Sequence, residues 1–129
     1  MPKTHLTIST STELLRFETS KIVYILADGN YSEVYQVDKN KTVLVSQLGK
    51  VAEEIDNQLG KKESGFVRVG KSYIINRKYI YRISFKANKQ ELILSDMATF
   101  SYTLTPSQEA LKKLKEYVLK REKEVEEKR

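Results

Sequence analysis

The stretch "FVRVGKSYIINRKYI", residues 66–80, reads as two short strands broken at Gly70-Lys71-Ser72. Phe66, Val67, Val69, Ile74, Ile75 and Ile80 supply its apolar positions. A strand that only buries one sheet face carries assorted polar residues on the other. Here the polar choices are nearly all cations: Arg68, Lys71, Arg77, Lys78 and, just beyond, Arg82. Such a stretch is either the solvated face of a basic protein or a surface that meets phosphates.

Charge distribution bears on that choice. The 129 residues carry a formal net charge of +6. Between Lys61 and Gln90 there are nine cations and one anion, Glu63, a local balance of +8 that exceeds the whole chain's. From Thr105 onward eight cations are intermixed with six anions. The basicity is local, as expected of a chain with a polyanionic partner.

Outward from this stretch the chain keeps a β rhythm. "HLTIS" and "LLRFE" precede the apolar run "KIVYILA"; "NYSEVYQVD" then alternates, with Tyr31, Glu33, Tyr35 and Val37 on one face. "ADGN" (27–30) is a short hairpin signal in which Gly29 can take φ > 0, and "DKNK" (38–41) is a second turn. Leu48, Val51, Ala52, Ile55 and Leu59 recur at helical spacing, with Ser46 as expected N-cap and Gly60 as terminator. After residue 80, "YIYRISFK", "ELILS" and "TFSYTLT" continue the strands. "TPSQ" then opens a last helix, with Thr105 expected at the N-cap, Pro106 in the first helical position and Gln108 completing a capping box. The expected fold is a compact, mainly β domain of short, mostly antiparallel sheets, with one embedded helix and a C-terminal helix. Residues 1–119 form the domain, and 120–129 a charged helical tail that frays.

Catalytic chemistry is poorly supplied. With no cysteine and His5 as the sole histidine, there is no Cys/His pair, Ser-His-Asp triad or zinc site. "GKS" at 70–72 lacks the first glycine of a phosphate-binding P-loop and precedes a strand, not a helix. The expectation is a non-enzymatic protein without cofactor, metal or small-molecule substrate. No apolar run approaches the roughly 20 residues of a membrane helix, and the absence of cysteine suits a reducing cytoplasm. The tyrosines could stack on single-stranded bases, but alternating aromatics in strands more often pack against each other.

Three segments carry a resemblance. "IVYILADGNYSEVY", "SQLGKVAEEI" and "FVRVGKSYIINRKYI" follow one another at the intervals of the LytTR DNA-binding domain, found mostly as the output half of bacterial response regulators. The family pattern has a Gly-Asn-Tyr turn, a short helix, then Phe-x-Arg-x-His-Arg/Lys-Ser-Tyr/Phe-x-Val/Ile-Asn. Gly29, Asn30, Tyr31, Phe66, Arg68, Lys71, Ser72, Tyr73, Ile75, Asn76 and Ile80 fit it, over roughly residues 12 to 116. The resemblance implies a sequence-specific regulator of transcription that inserts loops, not a recognition helix, into the major groove of double-stranded DNA. It implies base contacts near Asn30 and Ser32, at Gly70-Lys71-Ser72 and at Thr105–Ser107, with phosphate contacts from Arg68, Lys71, Arg77 and Lys86. Phe66, Tyr73, Ile75 and Ile80 become core, and Asn76 braces a turn. Gly70 stands where the family carries histidine, and Pro106 where many members carry arginine. The chain reads as a stand-alone domain. The alternative function is a protein-interaction or homodimerisation module acting through the C-terminal helix.

Overall fold

The computed structural model describes residues 4–127. Ten strands form three antiparallel sheets. Strands β1 (His5–Ser9) and β2 (Leu14–Glu18) make a hairpin. The central sheet contains β3 (Ile22–Asp28), β4 (Tyr31–Gln36), β5 (Lys41–Leu44), β6 (Phe66–Val69) and β7 (Tyr73–Asn76), in the order β5-β4-β3-β7-β6. Helix α1 (Leu48–Leu59) connects β5 to β6. The third sheet, ordered β10-β9-β8, comprises β8 (Ile80–Ser84), β9 (Glu91–Ser95) and β10 (Ser101–Leu104). Helix α2 (Gln108–Glu127) follows; Lys128 and Arg129 of the expected tail lie outside the described residues.

The central sheet is covered on both faces, which explains why "KIVYILA" is apolar throughout instead of alternating. Ile22, Ile25, Val34, Leu44 and Ile74 pack under α1 and the β1–β2 hairpin, meeting Leu6, Ile8, Leu48, Val51 and Ile55. Val23, Tyr24, Val69 and Ile75 face the other way and meet Leu92, Leu94, Leu104, Leu111 and Leu114 of the third sheet and α2. Tyr24, Tyr35, Tyr79, Phe100 and Tyr102 are part of that second core. Tyr24 stacks on Tyr35 with ring centroids 4.4 Å apart, Tyr102 meets both edge-on, and its hydroxyl donates to the Gln36 carbonyl at 2.8 Å. Burial, reinforced by the neighbouring tyrosines, pushes the Tyr24 hydroxyl well above the ordinary phenol range. These rings hold the third sheet on the central one.

Several local expectations are met. The β3–β4 hairpin turns on Gly29 and Asn30 alone, with Gly29 at φ 61°. Gly60 ends α1 at φ 88°, its N–H donating to Asp56. Asn76 braces the exit of β7: Nδ2 donates to the carbonyls of Ile22 at 2.9 Å and Thr19 at 3.3 Å, while Oδ1 accepts from the Lys78 N–H. Two caps differ. Ser46 does not cap α1, which starts after Gln47 with no side-chain cap. At α2 the cap is Ser107, not Thr105: Ser107 Oγ accepts from the Ala110 N–H at 3.2 Å and its carbonyl from Leu111. Pro106 is buried ahead of the helix, so the expected frame is shifted by two residues.

Central sheet and C-terminal helix meet at Gly70. Its φ is 63°, and a Cβ there would stand 3.4 Å from the Ala110 Cβ.

Two substitutions test this frame. Asn76→Ala orphans two carbonyls and a backbone N–H and is expected to cost about 2–3 kcal/mol of stability in urea unfolding; a loss below about 0.5 kcal/mol, within the ordinary surface range, rejects the bracing role. Gly70→Ala places a Cβ in the left-handed region and should cost about 1 kcal/mol. Unchanged stability there would mean that the turn relaxes freely.

Candidate nucleic-acid interface

Strand direction decides which loops share an end. Strand β3 runs to Asp28 beside the beginning of β7, since Leu26 pairs with Tyr73 and the Ala27 N–H donates to the Ser72 carbonyl at 2.8 Å. The Gly29-Asn30 and Gly70-Lys71-Ser72 turns therefore project from the same end of the central sheet. In the third sheet Ser84 pairs with Glu91 and Leu104 with Leu92. That pairing sets the Lys86–Asn88 turn beside the exit of β10 toward Thr105–Ser107. The Gly70–Ala110 approach joins this second pair of loops to the first.

Between the 70–72 turn and α2 lies a groove of about 730 Å³, lined by Arg68, Lys71, Ser72, Ser107, Lys113 and Tyr117 among others. Arg68, Lys71, Ser72, Thr105 and Ser107 are exposed. The Arg68 guanidinium donates to the Lys71 carbonyl at 3.4 Å, which braces the turn while leaving both charges in solvent. Neither cation belongs to an ion pair among the described residues, whereas Lys113 lies 3.6 Å from Glu109. The groove thus gathers three cations against one carboxylate. Hydroxyls, an uncovered glycine backbone and the first N–H groups of α2, which have no intrahelical partner, complete a surface rich in donors. Lys86 is exposed on the adjoining turn, where Lys115 Nζ stands 5.9 Å from the Phe85 ring.

Two expected contact residues sit elsewhere. Ser32 is fully buried, and its hydroxyl donates to the Ser46 carbonyl at 2.7 Å. It ties β4 to the segment before α1 and offers nothing to a ligand. Arg77 lies beyond the opposite end of β7, is half-buried, and donates to the Tyr117 hydroxyl at 3.0 Å. Asn30 does lie on the shared end, exposed, with Oδ1 accepting from Gln47 Nε2 at 3.0 Å. Tyr117 reads from the sequence only as part of the apolar side of the last helix, and Lys113 only as one of its mixed charges. Their signal was the 110, 114, 117 spacing, which puts them beside the face that α2 presents to Gly70.

The family model described as the LytTr DNA-binding domain matches residues 12–119. No curated protein matches. Among solved structures, the chain is similar to the LytTr DNA-binding domain of a protein described as a methyl-accepting/DNA response regulator from Bacillus cereus. The two are 20% identical with a TM-score of 0.51, over 80% of this chain and 87% of that one, a likeness of fold. On the span of the family match, this chain belongs to the LytTR family of DNA-binding domains.

Proposed function

We propose that this chain is a sequence-specific regulator of transcription that grips double-stranded DNA by inserting its turns into the major groove. The observation that carries the reading is the gathering of three loops at one end: Gly29-Asn30, Gly70-Lys71-Ser72 and Thr105–Ser107. Asn30, Lys71, Ser72 and Ser107 offer donors and acceptors suited to base edges. Arg68, Lys71 and Lys86 supply the phosphate contacts, which position the domain and release counterions. Gly70 lets α2 approach the turn through Ala110, and with Pro106 buried the contact at the start of α2 falls to Ser107.

Arg77 takes a different role from a phosphate contact. Its bond to Tyr117, about 15 Å along α2 from Ser107 at 1.5 Å per residue, fixes the angle at which the helix leaves the interface. Ser32 acts in the interior only. We assign the chain no catalytic residue, cofactor or metal. The DNA-binding unit closes near residue 119, where the family match ends, and α2 continues beyond it as a charged extension.

Fluorescence anisotropy with a duplex drawn from a random pool by selection tests the reading. Lys71→Ala should weaken binding and lower the slope of log K against log salt by about one unit. Arg77→Ala should weaken binding with the slope unchanged, because no phosphate contact is lost. Equal affinity for single-stranded and duplex DNA, or an unaltered slope in Lys71→Ala, would contradict the assignment.

A further inference from the structure

A second groove, of about 700 Å³, opens on the other side of Asn30. It is lined by the Ser9–Thr12 turn of the β1–β2 hairpin, by Asn30, by the Val45–Gln47 segment and by Lys50 on the first turn of α1. No carboxylate lines it. Lys50 is exposed and belongs to no ion pair among the described residues. Thr10 Oγ1 accepts from the Glu13 N–H and shapes the turn. Ser11 and Thr12 are exposed beside it, and among the described residues their hydroxyls make no hydrogen bond within the chain. Four consecutive hydroxyl side chains and one lysine form a surface that donates hydrogen bonds and carries positive charge.

The position of this groove identifies its ligand. The bond from Gln47 to Asn30 makes it continuous with the interface proposed above. Along the sheet edge, the exit of β5 is three to four strand spacings from the β6–β7 turn, about 17 Å at 4.8 Å per strand. That exceeds the roughly 12 Å width of a B-DNA major groove. With Lys71 in the groove and the sheet edge lying across it, the segment that follows β5 and the groove beside it reach the flanking sugar-phosphate wall. Ser9, Thr10 and Ser11 lie ahead of residue 12, where the family match begins.

Resting on the proposed DNA binding, we infer that the Ser9–Thr12 turn and Lys50 form a second phosphate-binding surface. It clamps the sugar-phosphate backbone that flanks the groove occupied by the Lys71 turn. The clamp adds affinity and salt dependence, and it adds no sequence preference.

The experiment is the same salt titration on the 129-residue chain, with Lys50→Ala, Lys50→Glu, the double variant Ser11→Ala/Thr12→Ala, and Lys61→Ala as a control beyond the opposite end of α1. Lys50→Ala should weaken duplex binding about three- to tenfold at 0.1 M salt and lower the slope by about one, with Lys50→Glu weaker still. The hydroxyl variant should weaken binding with the slope kept, and every variant should keep the base preference of the parent. Unchanged affinity and slope in Lys50→Ala, with loss in Lys71→Ala, overturns the clamp alone and leaves the DNA-binding reading standing. An equal effect of Lys61→Ala also overturns it, since the response would then be one of general charge. Absence of duplex binding by the parent chain overturns both.

Discussion

Leu111 and Leu114 pack against Val69, Ile75 and Leu104, and this contact holds together parts of the molecule that the chain separates widely. It seats α2 against the β6–β7 hairpin closely enough that Ala110 meets the backbone at Gly70. Without it the Lys71 turn and the start of α2 would belong to two sheets with no fixed relation. Each buried leucine stabilises the fold by about 2 kcal/mol. Exposed ion pairs contribute at most about 1 kcal/mol. The core therefore sets the geometry of the tips, and Arg68 and Lys71 at the tips belong to no ion pair among the described residues.

That division of labour suits a protein that meets a polyanion. Ion pairs among the described residues join Lys21 to Glu18, Lys41 to Glu33, Lys89 to Glu91 and Lys113 to Glu109. Arg68, Lys71 and Lys50 stay outside this set, exposed at the end of the sheet where the turns converge. A cation already paired would have to lose its partner before binding phosphate. An unpaired, solvated one releases counterions instead, a term that favours association at low salt. Tyr24, Tyr35, Tyr79 and Tyr102 are spent on packing the sheets together, which leaves Tyr31 and Tyr81 as exposed rings.

Much of this was legible in the sequence where the determinants are local. The Gly29-Asn30 hairpin, the amphipathic α1 with its Gly60 stop and the bracing Asn76 each depend on residues close in the chain, or on a side chain with few other uses. What escaped depended on tertiary placement. Ser32 follows the exposed Tyr31, so the alternation itself puts it on the face shared with Val34, under α1. The period-2 signal is therefore present in the sequence, and side-chain parity separates Ser32 from the exposed Asn30 and Tyr31. The α2 cap moved from Thr105 to Ser107 because Pro106 is drawn into the core, which spacing alone does not reveal. Arg77 is adjacent to the basic turn in sequence, but β7 carries it about 13 Å away, to a partner forty residues downstream.

Amide chemical-shift mapping during titration with duplex DNA at low ionic strength tests the central claim most directly. The account predicts that the resonances that move cluster at residues 28–31, 70–72, 86–88 and 105–110, with those of 9–12 and 50 joining them where the clamp meets the backbone. Those of the β9–β10 turn around Met97, at the far end of the third sheet, should stay in place. Movement confined to the Met97 end, or none anywhere with duplexes of any sequence, would contradict it.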